Sequence, residues 1–340
     1  MYQNIKNVPI KNIGHITFQM KNEDKMIHFY TEIIGMRVLF TLNVWDLADT
    51  IRKYNGEEAV EWLKPFMNSG VEVPWIQYLK FSDGQFLELF HSLEDNYETL
   101  DNRSEYYGFQ KVNYEVDDIE AMYDRICKAG VEIKQKIHTV VDGAKEFAVL
   151  DPDGNEIQFT QYGNSVIPLK KDSNRTFFSP VKYTTQVAWQ IQNAEEMRKF
   201  YCEGLGLKIV YTFTFGDLCS YLEQSGVVNK NMLSDLKQIA ELPWIDYVEV
   251  APHQFIEFFY SPGEKRKETG DLRKFYGYQH ICLEVADIHT AWNAVTSNGI
   301  QPYTQINMGC EGAYQFWMED PDGNQIELME YAPGAKQLLL

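Results

Sequence analysis

Basic residues are scarce in this chain: 31 Lys and Arg stand against 49 Asp and Glu, for a formal charge of −18. Nucleic acid and anionic membrane both demand a basic face, so neither is expected as a partner, and the acidic excess reads as a solubilising surface. Cysteine is sparse and unpatterned. Cys127, Cys202, Cys219, Cys282 and Cys310 are odd in number, scattered and without a Cys-x-x-Cys pair. That argues against a zinc-finger type of site and suits a reducing, cytoplasmic setting. No run approaches the ~18 apolar residues of a membrane span. The opening MYQNIKNVPIKNIGHITF has no basic segment followed by an apolar core, so no secretory signal is expected. A soluble, cytoplasmic protein follows. With 340 residues, 44% of them hydrophobic and 14% aromatic, it can bury roughly two domains' worth of core.

What is present is organised around one phrase. Asp320–Tyr331 reads DPDGNQIELMEY, a turn followed by a short strand. Asp-Gly between hydrophobic runs is a hairpin signal, because Gly accepts the positive φ of the turn. Alternation places Ile326 and Leu328 on one face, Glu327 and Met329 on the other. A carboxylate in such a strand is costly unless paired or bound to a metal. The same phrase occurs at Asp151–Tyr162 as DPDGNEIQFTQY, with Gln158 where the later copy has Glu327.

The rest of the chain repeats likewise. A strand near Ile13–Met20 precedes a helix carrying Met26, Phe29, Tyr30, Ile33 and Ile34, ended by Gly35. Strands follow near 36–42, 74–81 and 85–91, with a helical insertion at 47–68. A second set has a strand near 109–116, a helix at 118–129 and strands near 131–138, 147–150 and 156–161. After a mixed segment at 163–181, Gln186–Gln192 opens the pattern again, and Phe200-Tyr201 and Gly206 answer Phe29-Tyr30 and Gly35. Trp75 and Asp151 recur 169 residues later as Trp244 and Asp320. A constant offset through several strands means an internal duplication. The expected fold is α+β: four βαβββ units forming two curled mixed-sheet half-barrel modules. The expected domains are residues 1–165, a linker at 166–181, and residues 182–340.

Tandem βαβββ units with Phe-Tyr in the first helix, a following Gly, and DPDGN before the last strand resemble the vicinal oxygen chelate superfamily, which includes glyoxalases, epimerases, extradiol dioxygenases and resistance-type binders. The resemblance covers nearly the whole chain. It implies paired units curled around a metal, with ligands from their first and last strands. Carried onto this sequence, it points to His15, Glu88, Lys111 and Gln158 in the first half and Gln186, Glu257, His280 and Glu327 in the second. If units pair within a half, the ligands are Gln186, Glu257, His280 and Glu327; this arrangement is favoured, because 163–181 reads as an ordinary joint between closed modules. If they pair across halves, the set is His15, Glu88, His280 and Glu327. The within-half arrangement leaves the N-terminal module metal-free, since the Lys111 ammonium and a cation repel, and Lys111 would instead neutralise a buried Glu.

Both sets suit one divalent ion, Zn²⁺, Mn²⁺, Ni²⁺, Co²⁺ or Fe²⁺. The implied activity is that of a glyoxalase-type isomerase, epimerase or lyase on a small α-oxygenated carbonyl compound, through an enediolate, with Glu327 or Glu257 moving the proton. Two alternatives stand beside it. An extradiol-type Fe²⁺ dioxygenase needs two histidines and a carboxylate, and a binding protein needs no chemistry at all. The sequence shows no polar or basic set placed to hold a tripeptide such as glutathione. A small-molecule substrate is the expected partner, and a homodimer is left open. Plainer readings apply elsewhere: His28, His91, His138, His253 and His289 as surface or loop residues, the turn aspartates as turn formers, and segments 47–68 and 218–241 as packing helices rather than lids.

Overall fold

A computed structural model describes residues 5–94, 96–100, 102–163, 165–166, 179–226 and 230–339. Most of the expected linker at 166–181 therefore lies outside the described residues. Four βαβββ units follow one another. The first contributes β1 (Ile10–Gln19), β2 (Arg37–Asn43), β3 (Pro74–Ser82) and β4 (Gln85–Phe90), and the second β5 (Gly108–Val116), β6 (Ile133–Thr139), β7 (Lys145–Leu150) and β8 (Glu156–Gln161). The third has β9 (Val181–Gln190), β10 (Lys208–Thr214), β11 (Pro243–Ala251) and β12 (Gln254–Phe259), and the fourth β13 (Gly277–Val285), β14 (Asn307–Met308), β15 (Ala313–Glu319) and β16 (Gln325–Tyr331).

These strands make two eight-stranded mixed sheets, ordered β14-β15-β16-β13-β1-β4-β3-β2 and β10-β11-β12-β9-β5-β8-β7-β6. The first unit thus joins the fourth, and the second joins the third. The within-half closure expected from the sequence is not what forms. Each unit presents a free edge on its first strand, and an antiparallel partner from any other unit satisfies that edge equally well. Here β1 takes β13, and β5 takes β9.

Each half nevertheless ties its own two units together between the sheets. Helix 23–34 buries Met26, Phe29, Tyr30 and Ile34 at helical spacing, its last turn widened to π geometry, and stops at Gly35 with φ 92°. A Cβ at Gly35 would meet Pro180 at 2.9 Å, so the residue is needed for both conformation and closeness. From this helix Tyr30 Oη donates to Asp151 Oδ2 at 2.9 Å, and Tyr201 does the same to Asp320 at 2.9 Å. Asp320 also accepts from the backbone N–H of Asp322 and Asn324, at 3.0 and 2.9 Å, closing the turn. Asp322 accepts from the N–H groups of Gln192 and Asn193, just before the next helix starts. The turn aspartates are therefore joints between units as well as turn formers. A second pair of ties is Gln254 Oε1 accepting from Ile13 N–H at 2.6 Å and Gln85 Oε1 accepting from Thr184 N–H at 3.0 Å, each at an irregular step of a first strand.

Asp320→Ala leaves the buried Tyr201 hydroxyl and two turn N–H groups without their acceptor. We expect a loss of roughly 2–4 kcal/mol in denaturant unfolding; a loss below about 0.5 kcal/mol would show that the turn stands without this joint.

The largest apolar cluster runs through both sheets and the long helices of all four units. Smaller clusters lie elsewhere, one around Leu42, Ile76, Tyr78 and Phe86, the other around Phe213, Ile245, Tyr247 and Phe255. The insertion expected at 47–68 is Val44–Asn55, capped by Asn43, followed by Glu57–Leu63 and Lys64–Met67. It packs through a cluster of its own, around Val44, Ala48, Val60 and Leu63. No helix among the described residues is long and apolar enough to cross a membrane. His91, read from the sequence as a surface residue, is buried, and its Nδ1 lies 2.7 Å from Glu23 Oε2.

Candidate metal centre

On β1, alternation sends His15 and Thr17 to one face. The register then decides who meets whom. His15 is opposite Cys282 and Thr17 opposite His280 on β13; Thr17 is beside Glu88 on β4, and Cys282 beside Glu327 on β16. Four strands from the two ends of the chain thus deliver two imidazoles and two carboxylates to one point. His15 Nε2 lies 3.1 Å from Glu327 Oε2, 3.3 Å from Glu88 Oε1 and 3.2 Å from His280 Nε2. His280 Nε2 lies 3.6 Å from Glu88 and 3.7 Å from Glu327. All four residues are at most 4% exposed.

The surroundings treat the two carboxylates differently. Thr17 Oγ1 donates to Glu88 Oε2 at 2.8 Å, and Tyr78 adds a second hydroxyl. Burial pushes Glu88 up to about 7, with His15 and these hydroxyls pulling it down. Glu327 has the Cys282 thiol, and burial pushes it to about 8. Burial lowers both histidines, His280 the more, with His15 contributing. Two imidazoles and two carboxyl groups in a buried site are a donor set that a dication fits. The donor atoms of His15, Glu88 and His280, and those of His15, Cys282 and Glu327, lie within 4.8 Å of one another. Trp317 stands edge-on to His280 with ring centroids 4.6 Å apart.

A family model described as the Glyoxalase/Bleomycin resistance protein/Dioxygenase superfamily matches residues 12–159 and 185–328. The chain belongs to this superfamily. Glyoxalase I of Saccharomyces cerevisiae is 24% identical over 346 residues, spanning 96% of this chain and 94% of the yeast protein. Lactoylglutathione lyase of Schizosaccharomyces pombe is 23% identical, spanning 94% and 96%. Among solved structures, glyoxalase I from Zea mays is similar in fold, with a TM-score of 0.61 at 17% identity, covering 94% of this chain and 92% of that one. A putative dioxygenase from Bacillus subtilis gives 0.60 at 12% identity, covering 97% and 87%.

Within this superfamily chain the two sheets carry unequal sites. The set Gln186, Glu257, His280 and Glu327, expected together, is divided: the first two lie in the second sheet and the last two in the first. Glu257, expected to help move the proton, sits beside Lys111 instead. The second sheet brings together Gln186, Glu257, Lys111 and Gln158, in the register positions that His15, Glu88, His280 and Glu327 hold in the first. Lys111 Nζ donates to Gln158 Oε1 at 2.8 Å and lies 4.0 Å from Glu257 Oε2. Burial works against the ammonium, but Glu257, Glu146, Glu156 and Asp142 outweigh it and hold the Lys111 pKa above that of a free lysine. Glu257 is pushed up to about 7 by burial, against the pull of Lys111. Sequence reading missed Thr17, Tyr78 and Cys282 in the first site; the two-residue step from His15 and from His280 was the signal for Thr17 and Cys282.

Lys111→Met should cost about 1–2 kcal/mol at pH 8, because with the parent Glu257 at about 7 each further pH unit of charging the now unpaired carboxyl costs about 1.4 kcal/mol. Loss of the ammonium moves the folded pKa of Glu257 further above its unfolded value. The penalty is therefore small near pH 5, where Glu257 is protonated in both folded proteins, and grows as pH rises above 7. Adding Glu257→Gln should restore most of the stability. Equal melting temperatures for parent and single variant at pH 8 would remove the neutralising role from Lys111.

Proposed function

We propose that the first sheet holds one divalent metal ion on His15, Glu88, His280 and Glu327 and carries out a glyoxalase-type isomerase or lyase reaction on a small α-oxygenated carbonyl compound. One observation carries the reading: a buried imidazole nitrogen of His15 has three further donor groups within 3.3 Å, drawn from the opposite ends of the chain. The names of the yeast relatives support the reaction class. When bound, a divalent ion polarises a carbonyl oxygen and offsets the charge that develops on it.

The chain supplies the proton movement. Glu327 is the base that takes a proton from the carbon beside the carbonyl, giving an enediolate. It has fewer hydrogen bonds holding it than Glu88, the Cys282 thiol against the Thr17 and Tyr78 hydroxyls, so it is the freer of the two to move a proton. The same carboxyl, now protonated, returns the proton to the neighbouring carbon. Thr17 and Tyr78 hold Glu88 in place, which fits a ligand that stays put. The apolar and aromatic surroundings, Phe86, Phe90 and Trp317 among them, keep water from the enediolate.

The first substrate to try is the thiohemiacetal of methylglyoxal with glutathione, since one relative is named for lactoylglutathione. The same compound made with a small thiol tests whether the tripeptide is needed. Expected is thioester formation that stops on chelation and returns with one of Zn²⁺, Mn²⁺, Ni²⁺, Co²⁺ or Fe²⁺. No turnover with either thiol and any of these ions would overturn the reading for this substrate class.

A second reading gains from the same geometry. His15, His280 and Glu327 are two histidines and a carboxylate, the set an extradiol Fe²⁺ dioxygenase uses. Glu88, as a fourth donor, takes a position that substrate and dioxygen would need. Oxygen uptake with catechol by the Fe²⁺-loaded protein decides between them. A chain that neither binds metal nor turns over substrate would be a binding protein.

A further inference from the structure

The second sheet carries Lys111 and Gln158 where the first has His280 and Glu327, and two of the buried polar atoms around them lack partners. Glu146 there is satisfied, accepting from Asn113 Nδ2 at 3.2 Å and Thr160 Oγ1 at 2.9 Å; Asp142 accepts from the Ala144 N–H at 2.7 Å. Gln186 Nε2 and Glu257 Oε2, by contrast, have no hydrogen-bond partner, although their residues are 1% and 4% exposed. Lys111 Nζ donates to Gln158, which leaves further N–H capacity, and its side chain is 18% exposed, so solvent reaches this end of the site. An unpartnered buried amide and carboxylate oxygen cost stability unless something completes them.

We propose that this second site binds a neutral molecule bearing two adjacent oxygens, an α-hydroxycarbonyl or vicinal diol, without a metal. The unfilled groups set the chemistry. Gln186 Nε2 and Lys111 Nζ both donate, and so require acceptor oxygens; Glu257 Oε2 accepts, and so requires a hydroxyl. An α-hydroxycarbonyl presents both in one small molecule. An anion is disfavoured, because Glu257, Glu146 and Asp142 surround a single ammonium. Phe213, Tyr247 and Phe255 form an apolar cluster beside the site, and Phe259 lies under the Lys111 ammonium at 5.3 Å, giving a carbon skeleton a surface to pack on. Lys111 stands where the first site has His280, so one fixed monovalent cation takes the place of an exchangeable dication.

The test uses the full chain and hydroxyacetone as probe, with binding followed by ligand-observed NMR titration. Binding should persist in chelator-treated protein and be unchanged by His15→Ala, which separates it from the metal reading of the first site. It should weaken at least tenfold in Gln186→Leu and in the charge-balanced Lys111→Met/Glu257→Gln pair, whose melting curves report that they fold. No binding to the chelated chain, the result if water alone completes these groups, would overturn the proposal. So would binding that both variants leave unaltered.

Discussion

His15→Ala should empty the first site of metal, while Gln186→Ala should leave about one equivalent per chain bound. The two residues hold the same register position in the two sheets, each opposite the strand that begins the neighbouring unit. Only His15 is surrounded by His280, Glu88 and Glu327. Gln186 shares its site with the Lys111 ammonium, which repels a dication. Four-ligand zinc sites are worth about 10–16 kcal/mol, so losing one ligand of four should weaken binding by roughly 10²–10³-fold. Elemental analysis after dialysis reads this directly. Metal lost with Gln186→Ala and kept with His15→Ala would place the ion in the second sheet. Metal kept in both would take it out of both sites.

Glu327→Gln and Glu88→Gln should separate the base from the holding ligand. Glutamine preserves shape and an oxygen donor but cannot accept and return a proton. For Glu327→Gln, kcat is expected to fall by about 10²–10⁴-fold, with metal still bound at raised ion concentration. Glu88→Gln should act mainly on metal affinity, and saturating ion should recover much of the rate, because Thr17 and Tyr78 hold that side chain where it is. Glu327 is pushed up to about 8 by burial, so in the metal-free chain it is largely protonated at neutral pH and contributes stability that is lost as pH rises through 8. Equal losses of kcat in the two variants at saturating metal would mean that the carboxylates share the proton, and the assignment of Glu327 as sole base would fail.

Much of the fold was legible because the chain states it twice. The helix residues Tyr30 and Tyr201, the glycines at 35 and 206 and the two DPDG turns mark the same points of a repeated unit, and alternation within β1, β4, β13 and β16 puts every candidate ligand on the face where it is found. An ammonium in a ligand position implies a buried counter-charge, but within-half pairing would set Lys111 beside Glu88, and the structure puts Glu257 of the other half 4.0 Å away. The roles of Asp151 and Asp320 in joining one unit's turn to the preceding unit's helix were not legible, since a turn aspartate looks the same whether its second oxygen faces water or Tyr201.

The sequence by itself determined the unit, its fourfold repetition, the residue types at each ligand position, and the fact that one of the two sites carries a lysine. Those are local properties, set by alternation, turn chemistry and side-chain charge. The tertiary structure decided which unit closes on which. A free strand edge accepts any antiparallel neighbour with matching backbone spacing, and nothing in the residues of β1 or β9 names β13 or β5. That choice, made by packing between strands far apart in the chain, is what puts His15 rather than Gln186 beside His280 and Glu327, and leaves Lys111 with Glu257.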